Sequence, residues 1–394
     1  MEDKGKVLVL GLGGAGVRIV SALNRLPEAR PLTIYALDTD KAALERAVDL
    51  EASRRILGDE QWLSGLGAGG DVMKGQRALS RESGRLRELL NDARLLVVTG
   101  GLGGGTATGG AGVIARLAHT MNVPVVFVFE LPFAFEGHGR RKAAEDGMRE
   151  LLALADAVLG LPNDLLFSVL PAETAFVDAF RMADVELARV IAGVVDILTP
   201  GNLLAADLGD LSAILKNRKS YAAVGVGVGA SETPGEACRV ALTTLADSPF
   251  LGGAAKLREA DAVLLNLTGG PELTLSEVRR TLEAVGALPG VTARVLVGAN
   301  VREDCRHQVR LTAIAVKFDE RDAVEKQLAE AAKPVRRKRS RATAAGGDLP
   351  IQPSLPLTIS TSGIFEGTTE TVIDGVNFDI PTFHRKQIAV DTGE

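Results

Sequence analysis

Residues 100–110 read Gly100-Gly101-Leu102-Gly103-Gly104-Gly105-Thr106-Ala107-Thr108-Gly109-Gly110, with seven glycines and two threonines. The run follows the apolar stretch Leu95-Leu96-Val97-Val98-Thr99, which reads as a buried parallel strand, and leads into a helix-compatible segment from about residue 110. A strand that turns through glycines into a helix leaves several backbone N–H groups aimed at one point. The helix dipole adds partial positive charge there, which suits a phosphate. Glycine lets the backbone approach the anion, and the threonine hydroxyls can donate to it or face a metal. No Gly-Lys-Ser/Thr closes the run, so it is not a P-loop.

With 394 residues the chain can hold two domains and a tail. Its net charge of −5 gives no overall electrostatic case for nucleic acid. Cys238 and Cys305 fit no metal spacing and point to a reducing, cytoplasmic compartment. Met1-Glu2-Asp3-Lys4 runs straight into a strand, so no secretory leader is expected, and no apolar run reaches membrane-spanning length.

The first half alternates strands (6–10, 31–37, 95–99, 124–129, 157–160) with helices near 15–25, 41–48, 75–92, 110–121 and 140–153. This pattern predicts an α/β fold with a doubly wound parallel sheet, its ligand at the carboxyl ends of the strands. A long amphipathic helix from about Glu173 to Leu198 follows. A second, mixed α/β domain comes next, with strands at 221–230, 262–268, 294–301 and 309–318 and helices near 234–246 and 274–286. The expected division is 1–172, a nucleotide-binding domain; 173–211, the central helix and a loop; 212–320, the second domain; 321–375, a charged helix and disordered linker; and 376–394, a terminal peptide. The basic cluster from Lys333 to Arg341 reads as the solubilising start of that linker.

Two further sites carry chemistry. Gly11-Leu12-Gly13-Gly14-Ala15-Gly16 sits between a strand and a helix, with Asp38 ending the next strand; alone, it favours a Rossmann dinucleotide site and NAD(P). A second glycine loop argues instead for a nucleoside triphosphate with its metal. Asp207 and Asp210, spaced i, i+3, place two carboxylates on one side of a turn, where an Asp N-cap is the plainer reading from spacing alone.

The run at 100–110 resembles the signature of the tubulin/FtsZ family, with Ala107 at the middle glycine. The likeness extends over Leu131-Pro132-Phe133-Ala134-Phe135-Glu136-Gly137-His138-Gly139-Arg140, Leu161-Pro162-Asn163-Asp164 and Gly65-Leu66-Gly67-Ala68-Gly69-Gly70. The resemblance implies an FtsZ-type GTPase that polymerises head to tail and forms the bacterial division ring, with GTP/GDP and Mg²⁺ as cofactors. The nucleotide would meet Gly11, Gly13, Gly14, Ala15, Gly16, Val17 and Arg18, then Asp38 and Asp40. It would also meet Gly67, Ala68 and Gly69 beside the γ-phosphate, and Gly103, Gly104, Gly105, Thr106, Ala107, Thr108 and Gly109 around the phosphates. Glu136 would bind the ribose, Arg140 would lie near the phosphates, and Phe180 and Asp184 would lie at the base. No protein ligand is assigned to the metal.

Asp207 and Asp210 would complete the neighbouring subunit's site and drive hydrolysis. Ile380, Pro381, Phe383 and Arg385 would dock membrane-tethering and regulatory partners at midcell, with no direct membrane insertion. Arg18 and Val185 stand where the family places an Asn and an Asp that read guanine, and Ala205 replaces an Asn of the catalytic loop. These departures keep open a slow or inactive paralogue that serves as a filament scaffold.

Overall fold

In the computed structural model, residues 5–27, 32–168, 170–171, 173–198, 209, 220–286, 293–318, 372–373 and 376–377 are described. Six short strands line up in parallel: β1 (Lys6–Leu12), β2 (Thr33–Asp38), β3 (Arg55–Leu57), β4 (Ala93–Gly101), β5 (Val125–Leu131) and β6 (Ala157–Pro162), in the order β3-β2-β1-β4-β5-β6. All the expected strands are there; β3, only three residues long, is too short to stand out in the sequence. Strand order reverses between β1 and β4, so a crevice opens outside their carboxyl ends. Both glycine runs leave the sheet at that point.

The helices of this part are α1 (Gly13–Asn24), α2 (Lys41–Glu45), α3 (Glu60–Leu63), α4 (Val72–Arg81), α5 (Ser83–Leu90), α6 (Gly105–Thr120) and α7 (His138–Leu154). The continuous helix expected over 75–92 is two helices joined at Glu82, whose ψ of 4° departs from helical geometry. Alternate strand residues serve opposite faces. Val7, Val9, Val97 and Val128 join one core, while Leu8, Leu10, Val98 and Phe129 join the other, against α6.

Helix α8 (Phe176–Leu198) follows. Read as amphipathic, it is instead buried almost all round its second half: Leu187, Val190, Ile191, Val194, Val195 and Ile197 are each 4% exposed or less. The reason is a second sheet on its other side. Strands β7 (Ser220–Ala230), β8 (Ala262–Gly269), β9 (Arg294–Val301) and β10 (Gln308–Phe318) pair in the order β7-β10-β8-β9, antiparallel except for β8 with β9. Val224, Leu264 and Ile314 of this sheet share the core that α8 and the first sheet build. Helices α9 (Pro234–Ala246), α10 (Ala254–Glu259) and α11 (Leu275–Gly286) accompany this sheet. Residues of α9, α10 and α11 join Leu265, Leu311 and Ala313 in a third core. No described helix is long and apolar enough to cross a membrane.

Residues 334–394 form a separate unit, of which the two-residue strands β11 (Val372–Ile373) and β12 (Val376–Asn377) are described, paired antiparallel. The first falls at the end of the segment expected to be linker.

The glycine run departs from its expected form. Helix α6 begins at Gly105, so Thr106 to Gly110 are helical and buried rather than part of a loop. Packing explains it, because α4 lies against this turn so closely that a Cβ on Gly109 would fall 2.1 Å from the Val72 carbonyl oxygen. On the α4 side, a Cβ on Gly75 would fall 2.1 Å from that of Gly105. Backbone cannot yield cheaply there. Gly109→Ala should therefore destabilise the protein by about 1–3 kcal/mol. Gly84→Ala, on α5 with no atom within 4 Å of the new methyl, should be neutral or stabilise by up to about 1 kcal/mol. Urea unfolding midpoints of the two variants test the contrast.

Candidate functional site

Two helix N-termini meet over the crevice, and neither has a side-chain cap. Helix α1 follows Leu12 and α6 follows Gly104, and neither residue offers a side-chain acceptor to the first N–H groups. By contrast Asp40 caps α2 through Ala42 N at 2.9 Å, and Asp71 caps α4 through Met73 N at 2.9 Å. The uncapped donors of α1 and α6 need acceptors. They face a cavity of about 510 Å³ walled by Gly13, Gly14 and Ala15 on one side and Gly104, Gly105, Thr106 and Ala107 on the other. Gly13 adopts φ of +72°, which turns β1 into α1 and favours glycine.

The far end of this cavity is lined by Arg18, Phe180, Glu136 and Arg140, together with Glu130, Phe135 and Asn163. Glu136 accepts from the Phe133 N–H at 2.8 Å and pairs with Arg140 at 2.6 Å. Phe180 meets Phe133 edge-on at 5.4 Å, and Phe133 stacks on Phe135 at 4.9 Å. An aromatic cluster beside charged groups suits a flat, partly polar ligand end.

A second cavity, about 700 Å³, shares Gly14, Gly104, Gly105, Thr106 and Arg140 with the first and adds Asp38, Asp40, Gly67, Ala68, Gly69, Gly70 and Gly103. Gly69 and Gly70 have positive φ with nothing near their would-be Cβ positions, so this edge is open. Asp38 is buried; desolvation raises its carboxyl above the ordinary range, against hydrogen bonds from the Thr39 and Asp40 backbone. A third cavity, about 590 Å³, shares Gly14, Arg18 and Phe180 with the first and adds Val17, Asp184 and Val185. The three form one continuous groove.

Most of the sequence-derived site residues line this groove. Gly11, Gly16, Thr108 and Gly109 line none of its three parts and do packing work. A Cβ on Gly16 would sit 2.6 Å from the Thr99 carbonyl, and the Thr108 hydroxyl accepts from Gly103 N at 2.8 Å. The Thr106 hydroxyl, read as free to face a ligand or metal, already bonds that of Thr39 at 2.7 Å. Asp207 and Asp210, and Ile380, Pro381, Phe383 and Arg385, lie outside the described residues.

Sequence reasoning missed Glu130 and gave Asn163 no role. An acid closing an otherwise apolar strand, Val125-Val126-Phe127-Val128-Phe129-Glu130, was the available signal. Glu130 is 5% exposed and bonded to Asn163; burial first, then the nearby Asp184 charge, pushes its carboxyl up to about 7. Asp184 is bonded to the Arg18 Nε at 3.0 Å, while its Oδ1 and the Asn163 Oδ1 are buried without a hydrogen-bond partner among the described residues. Burial raises the Asp184 carboxyl despite the pull of Arg18.

Comparison with known proteins decides what this groove belongs to. Residues 6–171 match the GTPase domain of the tubulin/FtsZ family, and residues 221–319 match the FtsZ family C-terminal domain. An FtsZ mutant from M. jannaschii is 30% identical over 81% of this chain and 92% of its own, with a TM-score of 0.64. The chain belongs to the tubulin/FtsZ family. An FtsZ dimer from the same organism superposes with a TM-score of 0.66 at 29% identity, covering 80% of this chain and 89% of its own. CetZ2 from Haloferax volcanii, solved as a GTPγS-bound protofilament, shares the fold at a TM-score of 0.60 and 23% identity, over 83% of this chain and 98% of its own. Sheet order alone would have allowed a dinucleotide-binding enzyme. Family membership leaves that alternative without support.

Glu130 also makes a statement about stability. An acid raised from an ordinary 4.5 to about 7 binds its proton more tightly in the folded state. The stability it contributes is present at low pH and lost as pH rises from about 4.5 through about 7. Glu130→Gln should therefore stabilise the protein at pH 8 by on the order of 2–3 kcal/mol and change little near pH 4. Thermal unfolding of both proteins across that range checks it.

Proposed function

We propose that this chain is an FtsZ-type GTPase that binds GTP, polymerises head to tail and forms the division ring of a bacterial cell, working in the cytoplasm at midcell. The observation that carries the reading is the pair of uncapped helix N-termini, α1 and α6, facing each other across the crevice. Their combined N–H groups and dipoles suit a polyphosphate, with Arg140 beside it, the ribose toward Glu136 and the base toward Phe180. Self-association is supported by the dimer and protofilament forms of the two relatives. On this reading residues 1–172 bind nucleotide, 173–211 carry the central helix and catalytic loop, and 212–320 form the second domain. Residues 321–375 are the linker, and 376–394 dock partners through Ile380, Pro381, Phe383 and Arg385.

Mg²⁺ fits the groove as a phosphate-bound ion. Asp38 and Asp40 offer hard oxygens at the second cavity, whereas no described cluster of three or more His, Cys, Asp or Glu could hold a metal alone. When bound, the ion supplies charge neutralisation at the phosphates. The backbone N–H groups of α1 and α6 orient the chain of phosphates, and Glu136 holds Arg140 beside them.

Hydrolysis is assigned to Asp207 and Asp210 acting on the next subunit's nucleotide. Asp207→Ala and Asp210→Ala should each keep GTP bound and lose most phosphate release, and wild-type specific activity should climb with protein concentration. Turnover unchanged in a variant, or activity independent of concentration down to the monomer, counts against the shared site.

The Arg18–Asp184 pair favours a second reading, a slow paralogue that holds nucleotide as a scaffold, since it occupies the end of the groove assigned to the base. The unpartnered Asp184 Oδ1 can still accept from a guanine N–H. Asp184→Ala should reduce preference for GTP over ATP by roughly ten- to a hundredfold in equilibrium binding. An undiminished preference would remove Asp184 from base reading.

A further inference from the structure

The carboxyls of the groove do not share its cations evenly, and one of them, Glu130, lines the same cavity as the two helix N-termini, with its Oε2 3.9 Å from where a Cβ on Gly101 would sit. Asp184, from α8, has the Arg18 guanidinium of α1 at 3.0 Å. Glu136, from the turn after β5, has Arg140 of α7 at 2.6 Å. Glu130, at the end of β5, lines the same cavity with the Asn163 amide, after β6, as its hydrogen-bond partner and makes no ion pair among the described residues. Of these three carboxyls Glu130 alone has no guanidinium paired with it among the described residues, and the groove's other arginines, Arg25, Arg46 and Arg181, line the second or third cavity rather than the first, where Glu130 sits. An ionised Glu130 would add one uncompensated negative charge to a wall that, on the nucleotide reading above, receives an anionic ligand. A neutral Glu130 adds none and supplies an O–H donor that a carboxylate lacks.

We propose that Glu130 determines nucleotide affinity: the nucleotide binds the form of the groove in which this carboxyl is neutral, so binding above neutral pH takes up one proton at Glu130. The geometry fixes the direction. Burial and Asp184 already hold this carboxyl near 7, against the opposing pull of Arg18 and the Asn163 hydrogen bond, with Glu136 adding to the upward push. Bringing phosphate charge nearby raises it further. If only the neutral form binds, apparent affinity scales with its population, which falls from about nine-tenths at pH 6 to about 3% at pH 8.5 for a group titrating at about 7. The loss is roughly thirtyfold.

Calorimetric titration with GDP tests this on the full chain, wild type and Glu130→Gln, at pH 6.0 and 8.5, in two buffers of different ionisation enthalpy. Titration of the GDP phosphates is common to both proteins, so the difference between them reports Glu130. The wild type should weaken about thirtyfold more than the variant between the two pH values and take up close to one proton at pH 8.5, while the variant takes up none. Parallel pH profiles would overturn the proposal. Should the variant fail to fold, the wild type alone decides: no buffer-dependent heat at pH 8.5, where free GDP is fully ionised, overturns it equally. GDP that fails to bind the wild type at any pH would instead sink the nucleotide reading on which the proposal rests.

Discussion

Helix α8 has apolar surface on opposite sides, and both must be buried at once. One side packs on the parallel sheet beneath α1, and the other packs on the second sheet, so a single continuous core runs through both halves of the molecule. A deeply buried charge of α8, Asp196, is held by the buried Arg310 of β10 and by Arg302 at 2.7 Å. A buried carboxylate of this kind tolerates loss of a partner badly. The same rigid rod carries Phe180 and Asp184 near its other end, into the groove. The end of the groove proposed for the base is therefore placed by packing on a different element from the two helix N-termini, and the second sheet helps hold the first sheet's groove in shape.

The sheet and its reversal were legible because apolar runs and glycine turns alternate cleanly from residue 6 to 160. The pattern behind the proposed phosphate cradle was readable for the same reason: Leu12 and Gly104 leave helix starts without side-chain caps, which their residue types alone reveal. What the sequence could not separate was glycine kept for a ligand from glycine kept for packing. Gly109 and Gly75 touch across α4 and α6, a pairing 34 residues apart that no local pattern announces. The burial of α8 on two sides was equally hidden, since a helix covered by two sheets and one covered by a single sheet differ only in a few small residues.

Charged groups were the least legible. Arg18 looked like a departure from a family pattern, and its meaning depends on Asp184, 166 residues away. Glu130 looked like a strand's polar end. Its character comes from what surrounds it, because a carboxyl has no fixed proton affinity until its neighbours and solvent are known.

With Arg140 committed to Glu136 and Arg18 to Asp184, attraction for anions in the first cavity, which no other described arginine or lysine lines, is left largely to backbone dipoles. Such dipoles hold no mobile counterions to release, and those at the floor of a partly enclosed groove are screened less than surface lysines. Ligand capture here would then depend on shape and orientation far more than on ionic strength. That cavity would also hold little attraction for the many polyanions of a cell that cannot reach the two helix ends.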